Sequence, residues 1–206
     1  YMVSGLVLVI IIEGLLSGTE LIPLNTVIER VVTQVRTPFL TTILVMVTRL
    51  GDTFVLSSAT VLIASLLVMR GRSYDAALFV IALIITIISI TVLKNTFQIA
   101  RPDSDIYHVN GWSFPSGHTT VATAFFFMLA HSFFSRMKTL GGKTILILGS
   151  IFAVALVSFS RLYLGAHWAL DILAGITLGV LSVSFTVLIF NIFIGDKRSL
   201  RNRINL

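Results

Sequence analysis

The sequence predicts an all-α integral membrane protein: a six-transmembrane-helix bundle with an extra interfacial amphipathic helix after the first span. Of its 206 residues, 56% are hydrophobic and only 12% are charged, and the mean hydropathy is +0.98. A soluble domain of this length needs a larger polar surface. Several apolar runs approach the roughly 20 residues that cross a bilayer as a helix. No soluble linker or internal repeat separates these runs, so we expect residues 1–206 to form a single transmembrane domain.

The apolar runs define the spans. The clearest is "AALFVIALIITIISITVL" at 76–93, eighteen residues without a charge. The first run lacks a basic leading segment and a clear small-residue cleavage site, so it is interpreted as a retained helix and not as a signal peptide. The predicted spans are residues 2–18, 53–69, 76–97, 118–135, 144–162 and 168–194.

Residues 20–50 have a different pattern, in which charged side chains alternate with apolar ones at helical spacing. The charges are Glu20, Glu29, Arg30 and Arg36. This pattern favours an amphipathic helix that lies in the membrane interface, followed by a short buried or re-entrant piece. A seventh span over 38–48 is an alternative, but eleven residues are few for a crossing.

The basic residues predict the orientation. If the spans alternate, the loops 70–75 and 136–143 and the tail after 195 share one side and carry nine of the fifteen Lys and Arg residues. The positive-inside rule makes this side cytoplasmic, in what we expect to be a bacterial inner or plasma membrane. The tail "KRSLRNR" is interpreted as a topology and headgroup anchor, not as a nucleic-acid site. The chain has no cysteine, which excludes disulfides and thiolate metal sites.

Polar side chains cluster at the opposite, outward ends of the spans, where each one needs a physical reason. They come from three separate junctions between a loop and a helix. The residues are Lys94, Arg101, Ser116, Gly117, His118, Arg161, His167 and Asp171.

These residue types suggest phosphoryl transfer. Lys94, Arg101 and Arg161 supply three cations, and the planar fork of an arginine suits a phosphate. Ser116 and Gly117 lie at the predicted N-terminus of a span, where free backbone N–H groups favour an anion. Such an arrangement stabilises the charge on a transferring phosphoryl group.

The two histidines suggest how the transfer would proceed. His167 and Asp171 are spaced i, i+4, so they share one helix face. A carboxylate on one ring nitrogen fixes the tautomer and leaves the other nitrogen free to attack. His118 is then available to protonate the leaving oxygen.

The same residues carry a resemblance to a known family. The segments "KNTFQIARP", "PSGH" and "SRLYLGAHWALD" together resemble the motifs of the type 2 phosphatidic acid phosphatase (PAP2) superfamily, over residues 50–190. The resemblance implies a six-helix core and a metal-independent phosphatase without a cofactor. It also implies that His167 is the nucleophile that forms a phosphohistidine and that Asp171 orients it. In the remaining implied roles His118 is the general acid, and the phosphate is held by Lys94, Arg101, Ser116, Gly117, His118 and Arg161.

The chain departs from many bacterial members of the family at one place. The first Arg-Pro is followed by Asp103-Ser104-Asp105 instead of a second Arg-Pro. Two acids near the mouth of the site weaken the case for a very highly charged substrate. The expected substrate is a lipid phosphate or diphosphate. Undecaprenyl diphosphate is the first candidate by analogy, and the alternatives are phosphatidylglycerol phosphate, phosphatidate or a lipid A phosphate.

Two other functions are weighed. A divalent metal could be held by His118, His167, Asp171 and Asp103, but three neighbouring cations would repel it. A non-catalytic phospholipid-binding or transport bundle would use the same basic pocket, although no half-length repeat supports a transporter. Oligomeric state is not predicted.

Two further patterns are interpreted as structural. Arg49 and Asp52 in "TRLGD" are expected to form an ion pair or to lie in the interface. The small residues Ala174, Gly175 and Gly179 are expected to pack closely on a neighbouring helix of the bundle.

Overall fold

The computed structural model describes residues 2–17, 21–107 and 109–195, and this part of the chain forms eight α-helices without a strand. The helices are α1 Met2–Ser17, α2 Leu21–Gln34, α3 Pro38–Leu50, α4 Thr53–Met69, α5 Ser73–Phe97, α6 Gly117–Phe134, α7 Leu140–Tyr163 and α8 Ala169–Phe190, and a π-helical turn follows at Asn191–Gly195. The expectations for Glu20 and for the basic tail beyond residue 195 fall outside the described residues.

Short polar residues begin several of these helices. The side-chain oxygen of Thr37 accepts a hydrogen bond from the Leu40 backbone N–H, and Pro38 occupies the first turn of α3. A carboxylate oxygen of Asp52 accepts from the Phe54 N–H at 2.8 Å and so caps α4. These caps satisfy backbone donors that have no partner within the helix, and they separate α3 from α4 at residues 51–52.

Each predicted span coincides with a helix, but not every one of these helices is long and apolar enough to cross a membrane by itself. Three helices are long and apolar enough by themselves: α5, α7 and α8 extended to Phe193. Helices α3 and α4 qualify only as a pair bent by 44°, and α1 is a shorter apolar helix. The described residues therefore contain three clear spans, or four with the bent pair, and the count of six stays a prediction. The seventh span considered over 38–48 falls within α3, which is long enough for a crossing only together with α4.

The segment predicted to be amphipathic is largely α2. Leu24, Val27 and Val31 are exposed along one side of this helix. On another side Asn25 is buried, and its side-chain oxygen accepts a hydrogen bond from the Leu170 N–H at the start of α8. An exposed apolar stripe is what an interfacial helix needs, and the location of α2 in a membrane interface remains a prediction.

Helices α6 and α8 make the closest contact in the bundle, and glycine permits it. A Cβ on Gly179 would lie 2.8 Å from the Thr120 carbonyl oxygen, and one on Gly175 would lie 3.1 Å from the Ser116 carbonyl oxygen. The small residues of α8 thus pack inside the bundle, as the sequence predicts. This contact joins the start of α6 to the start of α8. A hydrogen bond from the Ser116 N–H to the Asp171 carbonyl joins the same two helix ends.

The predicted site residues and the basic loops lie at different ends of the helix bundle. Helices α5 and α7 end where α6 and α8 begin, so their loops 98–116 and 164–168 lie together. At the other end the Arg72 guanidinium donates to the Ser132 carbonyl at 2.7 Å, which brings the basic loops before α5 and after α6 together. The predicted site and the predicted basic side are therefore at opposite ends.

Candidate active site

A cavity of about 310 Å³ lies at the end of the bundle where these loops meet. Six of the eight predicted site residues line it: Lys94, Arg101, Gly117, His118, Arg161 and His167. Ser116 and Asp171 are buried behind this lining. The structure thus brings all the predicted residues to one site, on four different helices and two loops.

His167 and Asp171 form a buried pair. His167 Nδ1 lies 3.4 Å from Asp171 Oδ2. The same oxygen accepts from the Trp168 N–H at 2.9 Å and from the Ser113 hydroxyl. Because three groups converge on one carboxylate oxygen, the carboxylate is fixed in orientation and can hold the ring through Nδ1.

The surroundings of His167 keep its ring neutral. Burial is the main cause, and the cations Arg161, Arg101 and Lys94 add to it, so the pKa of His167 lies well below its ordinary value. The second ring nitrogen, Nε2, lies 3.3 Å from Arg101 Nη1. With the proton on Nδ1 beside Asp171, Nε2 carries a lone pair, and the ring lines the cavity.

Backbone carbonyls hold two of the three cations. Arg101 donates to the carbonyls of Gly111 at 2.9 Å and Ala166 at 2.5 Å. Its remaining N–H groups face the Asn110 and Trp112 carbonyls and His167. Burial lowers the pKa of Arg101, but an arginine remains charged at neutral pH. Lys94 donates to the carbonyls of Trp112 and Ser113.

Arg161 is different, because most of its donors are unpaired. The side chain is 0% exposed, and only Nη1 has a partner, the Thr48 hydroxyl at 2.9 Å. The buried Nε and Nη2 atoms have no hydrogen-bond partner among the described residues. Buried donors of this kind are costly to leave unmade. A bound anion would satisfy both of them at once, as a bidentate arginine contact does.

In the PSGH segment, Ser116 and Gly117 have different roles. The Ser116 N–H donates to the Asp171 carbonyl at 3.1 Å, and the hydroxyl donates to Thr119 Oγ1 at 3.1 Å. Ser116 therefore ties α6 to α8 and does not line the cavity. Gly117 does line it, at the N-terminus of α6, where backbone N–H groups and the helix dipole favour an anion.

The elbow between α3 and α4, which we define as residues 48–53, contributes to the site although the sequence did not predict it. Thr48 holds Arg161, and Thr53 lines the cavity. Asp52 Oδ2 lies 3.5 Å from His118 Nε2, so this carboxylate faces a site histidine and not Arg49, the expected partner. The signal in the sequence was the Gly51-Asp52 pair, a helix break followed by a cap.

A close approach places this elbow on the site. A Cβ on Gly51 would lie 2.5 Å from Val157 Cγ1 on α7. Only glycine permits this contact, since real Cβ atoms do not come so near. Ser113 is the other missed residue. It is fully buried, and its hydroxyl lies between Asp171 Oδ2 and His167 Nδ1.

Metal-ligating side chains are sparse at this end of the bundle. Within residues 2–17, 21–107 and 109–195, no group of three or more His, Asp or Glu side chains is arranged to hold a metal ion. The groups that face the cavity are mainly cations and backbone donors, a set that suits a phosphate.

Comparisons with known proteins show which family the chain resembles. Residues 75–194 match the sequence model of the PAP2 superfamily. The chain is 29% identical over 157 residues to the phosphatidylglycerophosphatase B of Bacillus subtilis, covering 75% of this chain and 77% of that protein. It is 31% identical over 173 residues to the undecaprenyl-diphosphatase of Sulfolobus acidocaldarius, covering 80% and 78%.

The fold has a solved counterpart. The crystal structure of a transmembrane PAP2-type phosphatidylglycerolphosphate phosphatase from Bacillus subtilis matches 92% of this chain and 96% of that one. The TM-score is 0.81 at 22% sequence identity, which is a likeness of fold. The sequence model covers more than half of the chain, and a relative above 30% identity aligns along most of its length. This membrane protein, with its cationic cavity and buried His–Asp pair, therefore belongs to the PAP2 superfamily.

Proposed function

We propose that the protein is a membrane lipid phosphatase that hydrolyses a lipid phosphate or diphosphate through a phosphohistidine intermediate. The observation that carries the proposal is the pair of unpartnered, buried Arg161 donors beside the neutral ring of His167. A phosphoryl group in the cavity would satisfy those donors and would meet the lone pair of His167 Nε2. Membership of a family whose named relatives are phosphatases supports the enzyme class.

The first step transfers the phosphoryl group to His167. The Nε2 lone pair attacks phosphorus, and the bond between phosphorus and the leaving oxygen breaks. His118 gives its proton to that oxygen, so the lipid product leaves neutral at this atom. Asp171 holds Nδ1–H and stabilises the positive charge that develops on the ring. The cations Lys94, Arg101 and Arg161 stabilise the negative charge on the transferring oxygens.

The second step restores the enzyme. Water attacks the phosphorus of the phosphohistidine, His118 takes a proton from that water, and the bond between nitrogen and phosphorus breaks. Inorganic phosphate is released, and Nε2 regains its lone pair. The same histidine thus acts as acid and then as base.

The placement of the site suits a lipid. The polar cavity is at one end of a bundle of apolar helices, so a headgroup can enter it while the tail stays in the bilayer. We place this end on the periplasmic or extracellular side, because the basic loops lie at the opposite end. Undecaprenyl diphosphate, phosphatidylglycerol phosphate, phosphatidate and lipid A phosphate all remain substrate candidates.

Phosphate release by the purified full chain in detergent, with EDTA present, tests the function. The panel contains undecaprenyl diphosphate, phosphatidylglycerol phosphate and phosphatidate, and His167→Ala is measured in parallel. We expect release by the wild type and none above background by the variant. Release that survives His167→Ala would exclude this histidine as the nucleophile. Activity lost in EDTA and restored by a divalent ion would favour the metal-assisted alternative, and binding without release would favour a non-catalytic bundle.

A further inference from the structure

Asp52 lies where the leaving group would be protonated. Its Oδ2 is 3.5 Å from His118 Nε2, while its Oδ1 accepts from the Phe54 N–H and anchors the carboxylate to the start of α4. The leaving oxygen lies next to the ring nitrogen of His118 that protonates it, so it is separated from Asp52 by at most the width of the imidazole ring and the contact at each end. The leaving-group side of the cavity therefore carries a fixed negative charge.

The chemistry of the leaving group decides what this charge does. A lipid phosphomonoester loses an alcohol, which is uncharged once His118 has protonated it. A lipid diphosphate cleaved at its terminal phosphorus loses a lipid monophosphate, whose remaining oxygens keep a negative charge beside Asp52. Two like charges at this separation repel each other, and solvent moderates the repulsion because the Asp52 side chain is 45% exposed.

The cavity has few donors to compensate a second phosphate. Every N–H group of Arg101 already faces a carbonyl or His167, and two of the three N–H groups of Lys94 face carbonyls. The unpaired donors of Arg161 are two atoms, Nε and Nη2. Together with the backbone N–H groups at Gly117, they match the oxygens of one phosphoryl group.

Two cations also act on His118, and the effect of Arg161 on its ring exceeds that of Asp52. In the proposed reaction Arg161 and Arg101 lie beside the transferring phosphoryl group, whose negative charge offsets theirs and leaves Asp52 as the charged group on the side of the leaving oxygen. Asp105 adds another carboxylate near Arg161 and Arg101, where its oxygens accept from the Tyr107 and Val109 N–H groups.

We propose that Asp52, held against His118 by the elbow 48–53, makes the site selective for lipid phosphomonoesters over lipid diphosphates. The proposal rests on the proposed function and narrows its substrate class. It ranks phosphatidylglycerol phosphate and phosphatidate above undecaprenyl diphosphate, which reverses the order suggested by analogy from the sequence.

A matched substrate pair tests the selectivity. Undecaprenyl monophosphate and undecaprenyl diphosphate share one tail, so only the leaving group differs. With the purified full chain, we expect kcat/KM to be about tenfold or more higher for the monophosphate. In Asp52→Asn we expect this ratio to fall by about tenfold, because the repulsion disappears while the amide can still cap α4.

The controls separate selectivity from general damage. Loss of acid catalysis in Asp52→Asn would slow the monophosphate more than the diphosphate, because an alcohol needs protonation to leave and a phosphate does not. The electrostatic effect is therefore recognised by a rise in kcat/KM for the diphosphate itself, which a loss of acid catalysis cannot produce. Asp103→Asn makes the same charge change at an exposed position of the mouth, and we expect it to leave the ratio within about twofold.

Two results would overturn the proposal: a wild type that prefers the diphosphate, or an Asp52→Asn ratio equal to that of the wild type. A failure of the function itself would be recognised differently, since neither substrate would then release phosphate. An Asp103→Asn variant that shifted the ratio as far as Asp52→Asn would also contradict the assignment to Asp52.

Discussion

Replacing Arg161 by methionine should make the ligand-free protein more stable and nearly inactive. Arg161 is fully buried, and two of its nitrogen atoms have no hydrogen-bond partner in the described part of the chain. Each buried unsatisfied donor group costs about 1–3 kcal/mol, so the two together cost about 2–6 kcal/mol. Methionine fills a similar volume with no donor to desolvate.

The gain is reduced by what arginine contributes. Its Nη1 donates to the Thr48 hydroxyl at 2.9 Å, and a hydrogen bond to a charged group contributes about 1.5–3 kcal/mol. The midpoints of these two ranges leave Arg161→Met more stable than the wild type by about 2 kcal/mol. Activity should move the other way, with kcat/KM lower by about 10²-fold or more, because the contact to the transferring oxygens is lost.

The assay is thermal unfolding in detergent, with and without inorganic phosphate. Phosphate at about 100 times its dissociation constant should stabilise the wild type by about 2.7 kcal/mol. It should have little effect on Arg161→Met. The matched control is Arg101→Met, whose removal leaves backbone carbonyls at Gly111 and Ala166 without their donor. We expect this control to be less stable than the wild type, the opposite sign for the same substitution.

An Arg161→Met variant that is less stable than the wild type, and that phosphate stabilises as much as it stabilises the wild type, would contradict this prediction. That pair of results would mean that the two nitrogen atoms are not unpaired in solution and do not meet the phosphate. Equal losses of stability in the two variants would lead to the same conclusion.

Three other experiments test the geometry of the site. ¹⁵N-histidine NMR, assigned with His167→Ala, should show the neutral ring of His167 as pH falls through 6.5, with protonation and loss of the nucleophile only at lower pH; a positively charged ring at pH 6.5 would contradict the assigned environment. Ser113→Ala should lower kcat about tenfold with little change in KM, because it frees the Asp171 carboxylate that orients the ring; an unchanged kcat would remove Ser113 from this role. Gly51→Ala should lower kcat/KM about tenfold by pushing the elbow off α7, and Val157→Ala in the same chain should restore part of the activity; a double variant as inactive as the single one would argue against this contact.

Local sequence was enough to predict the helices and the residues that meet at the cavity. An apolar run such as 76–93 can satisfy its backbone groups in a bilayer only as a helix, so composition alone predicts α5. The motif residues share one end because antiparallel neighbours bring the end of α5 next to the start of α6. His167 and Asp171 follow from the geometry of a single helix turn.

Span count and partner choice were not available from the same patterns. The run at 53–69 predicts a helix, but not its bend of 44° with α3. Arg49 and Asp52 were expected to form an ion pair or to lie in the interface, whereas the Asp52 carboxylate faces His118. At a helix break, two residues that are close in sequence need not become partners, because the break changes the direction of the side chains.

The sequence by itself determined the membrane class, the helical segments and the set of residues that the structure brings together at the cavity, since these depend on composition and on spacing within single segments. Only the tertiary structure decided which donors stay unpaired at Arg161, how Ser113 joins the His–Asp pair, and that Asp52 reaches His118. The physical reason is that hydrogen-bond partners far apart in the chain are set by how helices pack. Here that packing depends on contacts as small as the missing Cβ atoms of Gly51 and Gly179.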